Sequence, residues 1–160
     1  MKRISYVVLL LLLAFLVLAG CAQSGPYKNG TYTGSYDARD SHGWKPQLQV
    51  VVEKGKIVSA VFDYVNAAGG LKSDDTAYAE RMKSVSGVSP REAAEAMAKR
   101  IVETQTAEID TVAGATHSTE NFRVLARAIL EQAKTGNTAP VVIPMNDTYT
   151  AQDEPDERGY

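Results

Sequence analysis

The chain has 160 residues, 44% of them apolar and 22% charged, with 17 basic against 19 acidic side chains. This mildly acidic balance excludes a basic nucleic-acid surface and electrostatic docking on anionic lipid. A single cysteine excludes an intrachain disulfide, so the folded part must hold together by burial alone.

The chain opens with Lys2 and Arg3 and an apolar run from Tyr6 to Leu18. The run suits a signal-peptide core and falls short of the roughly 20 apolar residues a bilayer span takes. It ends in Leu18-Ala19-Gly20-Cys21, the small-residue pattern at which signal peptidase II cuts ahead of a cysteine that accepts diacylglycerol as a thioether. Residues 1–20 are therefore read as a lipoprotein signal peptide and Cys21 as the lipidated first residue of the mature chain. Removing them leaves 140 residues, 15 basic and 19 acidic, a net charge of −4, and no second membrane segment. That length suffices for one domain. The discarded Leu13 to Gly20 is also similar to the apolar octapeptide pheromones cut from Gram-positive lipoprotein precursors, which makes a pheromone precursor a side expectation.

Residues 21–29 are small and polar, with Gly25-Pro26, and read as a tether. The domain is expected over residues 30–135. Thr31 to Tyr36 has strand composition. Lys45 to Glu53 alternates, with Leu48, Val50 and Val52 on one face and Gln47, Gln49 and Glu53 on the other. The turn Lys54-Gly55-Lys56 and a second alternating run, Ile57 to Asn66, complete a β-hairpin. The period then changes. Ser73 or Asp74 is expected to cap a helix with Tyr78, Met82 and Val85 on one side, closed by Gly87. Ser89-Pro90-Arg91-Glu92 starts a second helix with a capping box, and Ala93, Ala94, Met97, Ala98 and Ile101 form its apolar stripe. Ile109 to Val112 reads as a short strand. A third helix is expected from Ser118 to Ala133 with Phe122, Leu125, Ala126 and Ile129 inward. Residues 136–160 read as an extended, disordered tail in which Val141-Val142-Ile143-Pro144 packs as an edge segment. The order implies an α+β domain, a small mainly antiparallel sheet with about three helices.

The usual catalytic sets are thin. The two histidines, His42 and His117, lie outside any metal-ligand spacing, and no nucleophile elbow, P-loop or dinucleotide fingerprint appears. What remains is Asp110-Thr111-Val112-Ala113-Gly114-Ala115-Thr116-His117-Ser118-Thr119, between the short strand and the third helix. Gly114 and Ala115 leave room for something bulky near the backbone, and Thr116 places a hydroxyl ahead of the helix's free N–H groups. A phosphate held there meets unsatisfied donors and the positive end of the helix dipole. On these grounds alone Thr116 or Ser118 serves equally well as a simple N-cap.

Asp110-x-x-Ala113-Gly114-Ala115-Thr116 resembles the flavinylation motif, D-x-x-[S/T]-G-A-T, of the FMN-binding domain family. That family includes the C subunit of the sodium-pumping quinone reductase, the G subunit of the Rnf complex and extracellular lipoproteins of Gram-positive bacteria. Ala113 departs from the pattern, replacing a hydroxyl with a small apolar side chain. Asn29 to Gly34, Asp40 to Lys45 and Phe62 to Asn66 also resemble these lipoproteins, so the likeness spans roughly Tyr27 to Ala133. It implies that a flavin transferase attaches FMN through a phosphodiester to Thr116, with Asp110, Gly114 and Ala115 as framework and Ser118-Thr119 continuing the hydroxyl-rich tail. An isoalloxazine needs aromatic faces and a few edge contacts. Trp44 and His42 in a Gly-flanked loop, Tyr64 at the hairpin end, and His117 beside the phosphate are the candidates. Their ordinary alternatives are core packing for Trp44 and Tyr64, and surface hydrogen bonding for the histidines.

The resemblance implies an electron carrier without bond-making catalysis, anchored by lipid on the outer face of a Gram-positive cell membrane. It would pass electrons from a membrane donor to an extracellular or membrane-associated acceptor. A non-redox binding lipoprotein and a flavin reductase with its own substrate are the competing classes; the few acid–base residues near the motif disfavour the reductase.

Overall fold

The computed structural model describes residues 25–145. The signal peptide, Cys21 and residues 146–160 lie outside that span. Three strands come first: β1 (Gly30–Tyr36), β2 (Lys45–Glu53) and β3 (Lys56–Val65). A 3-10 turn over Lys72–Asp74 leads to α1 (Thr76–Ser86), α2 (Pro90–Thr104) and α3 (Thr116–Thr135), and β4 (Val141–Ile143) follows. The sheet order is β3-β2-β1-β4, antiparallel except for the β1–β4 pair, which is parallel.

Helices cover one face of the sheet, α2 against β3 and α3 against β1 and β2. The alternation of β2 explains that face: Leu48, Val50 and Val52 are buried while Gln47, Gln49 and Glu53 are exposed. On β3 the inward residues are Ile57, then Phe62 and Tyr64, an odd spacing that strict alternation forbids. A β-bulge opposite Val51 and Val52 resets the phase, leaving Val58 outside. Gln105, just past α2, pairs both backbone groups of Ile57 there, at 2.8 and 2.9 Å. The hairpin turn is two residues, Lys54 and Gly55, both at positive φ (51° and 78°), the geometry that matches strand twist.

The helices start where local chemistry allows. Ser89 and Glu92 form the expected capping box, and Ala93, Met97 and Ile101 are buried. For α1 the cap is Asp75, whose carboxylate accepts from Tyr78 N–H, in place of Ser73 or Asp74. Ser73 N–H is already bound to Asp63, and the Asp74 carboxylate to Arg91. No residue of α1 is buried, and Val85, expected inward, is 69% exposed. The space beneath that last turn is taken by Gly114, packed against Ser86 and Val88. Helix α3 begins two residues earlier than expected and buries Phe122, Leu125, Ala126 and Ile129.

At one end the described chain packs where a tether was expected, and at the other the expected edge segment forms. Within the segment read as a tether, Gly25 to Asn29 packs onto the domain. Tyr27 is buried, its hydroxyl bonds the Gln105 carbonyl, Lys28 N–H donates to Ala133, and Asn29 accepts from Gly55 N–H. Within the expected tail, Val141–Ile143 is an edge strand clipped by Asp37, whose N–H donates to Ile143 and whose carboxylate accepts from Met145.

Candidate functional site

The strand expected over Ile109 to Val112 does not form, and its backbone partners show why. Arg123 donates twice to the Ile109 carbonyl (3.0 and 2.7 Å), and Arg100 donates to the Asp110 carbonyl (2.7 Å). The buried Thr119 hydroxyl accepts from Val112 N–H and donates to the Ala115 carbonyl. With these groups taken by side chains, no ladder remains to be made. Arg127 adds a two-point pair with Glu108 that holds the same segment to α3 and keeps the Glu108 carboxyl below its usual range.

This frame sets the motif's shape. Gly114 sits at φ 77°, and a Cβ there would lie 2.2 Å from the Ser86 carbonyl oxygen. The room expected for a ligand at Gly114 is therefore filled by α1 and Val88, and Ala115 is buried. Thr116 is exposed as the first residue of α3. Neither Thr116 nor Ser118 is the N-cap: that position belongs to Ala115, and no side chain caps it. Nor is there an acidic residue in the first turn. The helix start thus keeps its amides and positive dipole end beside the Thr116 hydroxyl.

The next residues reach inward. His117 Nε2 lies 3.2 Å from the Asn121 amide, which donates to the Tyr64 hydroxyl at 3.1 Å. Ser118 also hydrogen-bonds that hydroxyl, and burial pushes the Tyr64 phenol up, so it is protonated at neutral pH. Tyr64 stands edge-on to Phe62, and Phe62 to Phe122. Trp44 stands edge-on to Tyr78, ring centroids 6.5 Å apart, and the Lys72 ammonium lies 5.0 Å from the Tyr64 ring centre, 5.9 Å from that of Trp44 and 4.3 Å from that of Tyr78. The Trp44 loop is shaped by Asp40, whose carboxylate accepts from the His42 and Trp44 amides.

The structure therefore brings together Thr116, His117, Ser118, Tyr64 and, through Lys72, Trp44. His42 is exposed, its Nδ1 3.4 Å from the Ser41 hydroxyl, and Asp110 is exposed and contributes its carbonyl to the frame. Sequence reasoning missed Lys72 and Asn121, and read Tyr78 only as one face of a helix and Thr119 only as part of the hydroxyl-rich tail. Asn121 left a signal, a polar side chain next to Phe122 on the inward stripe of α3; Lys72 left none. The fit to a flavin is one of kind: aromatic rings, hydroxyls, an amide and a cation lie beside the exposed Thr116. Trp44 and Tyr64 are only 8% and 5% exposed, with Lys72 and Tyr78 lying against them. Among the described residues no cluster of His, Cys, Asp and Glu is set to hold a metal, and no helix is long and apolar enough to cross a membrane.

Over 131 residues, 81% of this chain and 93% of the relative, the sequence is 37% identical to the 15 kDa lipoprotein of Treponema pallidum (strain Nichols). The chain belongs to that lipoprotein family. Membership agrees with the processing pattern at Cys21: this is a small extracytoplasmic lipoprotein. Since this relative is from a spirochete, the comparison gives no support to the Gram-positive origin expected from the sequence. Among solved structures, the CPE2226 protein of Clostridium perfringens matches the fold with a TM-score of 0.73 at 34% identity, covering 74% of this chain and 98% of that one. A Clostridium thermocellum protein solved by NMR gives 0.47 at 26% identity, over 66% of this chain and 92% of its own. No protein-family model matches the chain. The lipoprotein family thus accounts for the anchor and does not reach the flavin.

Proposed function

We propose that this lipoprotein is a covalently flavinylated electron carrier, with FMN joined through its phosphate to Thr116 Oγ. The observation that carries the reading is the position of that hydroxyl. Thr116 is exposed at the first turn of α3, where no side chain caps the helix and the turn itself carries no acidic residue. An exposed anion at such a terminus gains about 0.3–1 kcal/mol. The neighbouring Tyr64, Trp44 and Tyr78 supply aromatic rings, and burial keeps the Tyr64 phenol neutral while the Asn121 amide donates to it.

FMN, when bound, supplies one- and two-electron transfer; the chain retains and orients it. Attachment needs a flavin transferase and a phosphoanhydride of FMN. The Thr116 oxygen forms a bond to phosphorus as the anhydride bond breaks, and the hydroxyl proton leaves with the departing phosphate. A membrane donor and an outside acceptor complete the route. Covalent attachment suits this setting, because a protein beyond the cytoplasm cannot replace a cofactor it loses.

The test is mass spectrometry of the mature protein co-expressed with a flavin transferase. The expected result is a yellow protein carrying one FMN-sized addition, absent from Thr116→Ala. A colourless wild-type protein would favour a non-redox binding lipoprotein, and an addition that survives Thr116→Ala would overturn the assignment.

A further inference from the structure

Helix α1 differs from its two neighbours in how it is held. It has 11 residues, and a helix shorter than roughly 12–15 residues is marginal in water unless packing supports it. Yet none of its residues is buried, whereas α2 buries Ala93, Met97 and Ile101, and α3 buries Phe122, Leu125, Ala126 and Ile129 among others. Tyr78 and Met82 on its inner side are half-buried, and Val85 is exposed. The Lys83–Glu92 pair that ties it to α2 is exposed, and such pairs contribute little in water.

The segments on either side are fixed without it. Ahead of α1, Leu71 bridges to Val65, Ser73 N–H donates to Asp63, and Asp74 pairs with Arg91 of α2. Behind it, Gly87 turns at φ 79° in open space, and the Ser89–Glu92 capping box starts α2 afresh. The part that can swing is therefore Thr76–Ser86. It covers two features. Tyr78 stands edge-on to Trp44, and the last turn rests on the motif loop at Gly114. A Cβ at position 114 would lie 2.2 Å from the Ser86 carbonyl oxygen and 2.9 Å from Val88 Cγ1, so only glycine lets the helix close down there.

We propose that α1 is a lid seated on Gly114, which opens by local undocking and uncovers Trp44 and the flank of residues 114–116. Elements with few buried apolar groups open at lower free energy than the core they cover. Whatever binds against Trp44 on this side binds the open form, and its affinity is reduced by the fraction of molecules open. The lid stands independently of the flavin reading, since each contact that defines it is made by the chain alone.

The experiment is amide hydrogen exchange on the mature protein as wild type, Gly114→Ala and Gly69→Ala, with acrylamide quenching of Trp44, the only tryptophan, and a thermal melt on each. Gly69 has φ 84° and open space around it, so Gly69→Ala carries the same backbone strain away from the seat. In the wild type, α1 amides should exchange at least tenfold faster than those of α2 and α3. Gly114→Ala should speed α1 about tenfold further and raise Trp44 quenching while α2 and α3 keep their protection; Gly69→Ala should do neither. Wild-type α1 amides as protected as those of α2 and α3 would overturn the lid, and this comparison decides the matter if Gly114→Ala does not fold. A folded Gly114→Ala with wild-type α1 exchange and Trp44 quenching would overturn the seat on Gly114.

Discussion

Thr119 illustrates how much of the site one hydroxyl decides. It is buried between the motif loop and α3, accepting from Val112 N–H at 3.1 Å and donating to Ala115 at 2.8 Å. Thr119→Val keeps the shape and removes both bonds, leaving the Val112 amide buried without a partner. The expected loss is about 1–3 kcal/mol in urea unfolding; Thr119→Ser, which keeps the hydroxyl, should lose clearly less. Equal losses in the two variants would mean that the γ-methyl, which only Thr119→Ser removes, matters as much to this loop as the two hydrogen bonds. In the sequence Thr119 reads as one more polar residue of a hydroxyl-rich stretch. Its role became visible only when the loop folded back against it.

Elements show the same division between local and non-local causes. The start of α2 was legible because its capping box is complete within four residues: Glu92 accepts from the Ser89 amide and Ser89 from the Glu92 amide. Glu92 also pairs with Lys83, and these contacts, Lys83 first, hold its carboxyl near pKa 2 against an ordinary 4.5. Since the folded pKa is the lower one, the stabilisation is present above pH 4.5 and is lost as pH falls towards 2. Glu92→Gln should therefore flatten the fall in Tm between pH 5 and pH 2. The group is exposed, so the effect is small and reduced further by salt. A wild-type profile that matches Glu92→Gln would show the pairing contributes nothing. By contrast, Ile109 to Val112 read as a short strand, and three side chains from α2 and α3 took its backbone groups instead. The odd spacing on β3 likewise depends on a bulge and on Gln105, 48 residues away.

At the scale of the molecule, the candidate site lies at the opposite end from Gly25, where the described chain begins. Gly25 packs so closely on Gly55 that a Cβ on it would lie 2.0 Å from the Gly55 carbonyl oxygen, and Lys28 docks on the end of α3 at Ala133. Cys21 is four residues before Gly25, a reach of at most roughly 14 Å. From the Lys54-Gly55 turn, β3 runs ten residues to Tyr64 and Val65, about 30 Å, and α3 runs twenty residues back to Thr116, also about 30 Å. Under the proposed function, the membrane donor is then expected to be a protein that reaches the Tyr64 and Thr116 end. Trp44, the only tryptophan, sits at that end and reports on it. In vesicles holding the lipidated protein, quenchers buried in the acyl region should leave Trp44 fluorescence nearly unchanged, whereas strong quenching would place the Trp44 end on the membrane.

The sequence by itself determined the features whose causes are local. The processing pattern at Cys21, the β2–β3 hairpin with its alternation, the capped start of α2 and the inward stripe of α3 each follow from spacing within a few residues. So did Thr116 as the residue of interest, through the motif it completes. Tertiary structure alone decided that Ala115 leaves the start of α3 uncapped, that Gly114 makes room for α1 rather than for a ligand, and that Lys72 stands among Trp44, Tyr64 and Tyr78. The physical reason is the same in each case. Periodicity records which face of an element is buried, but a loop's path and a side chain's partners are set by groups tens of residues distant, whose positions exist only once the sheet and helices have packed.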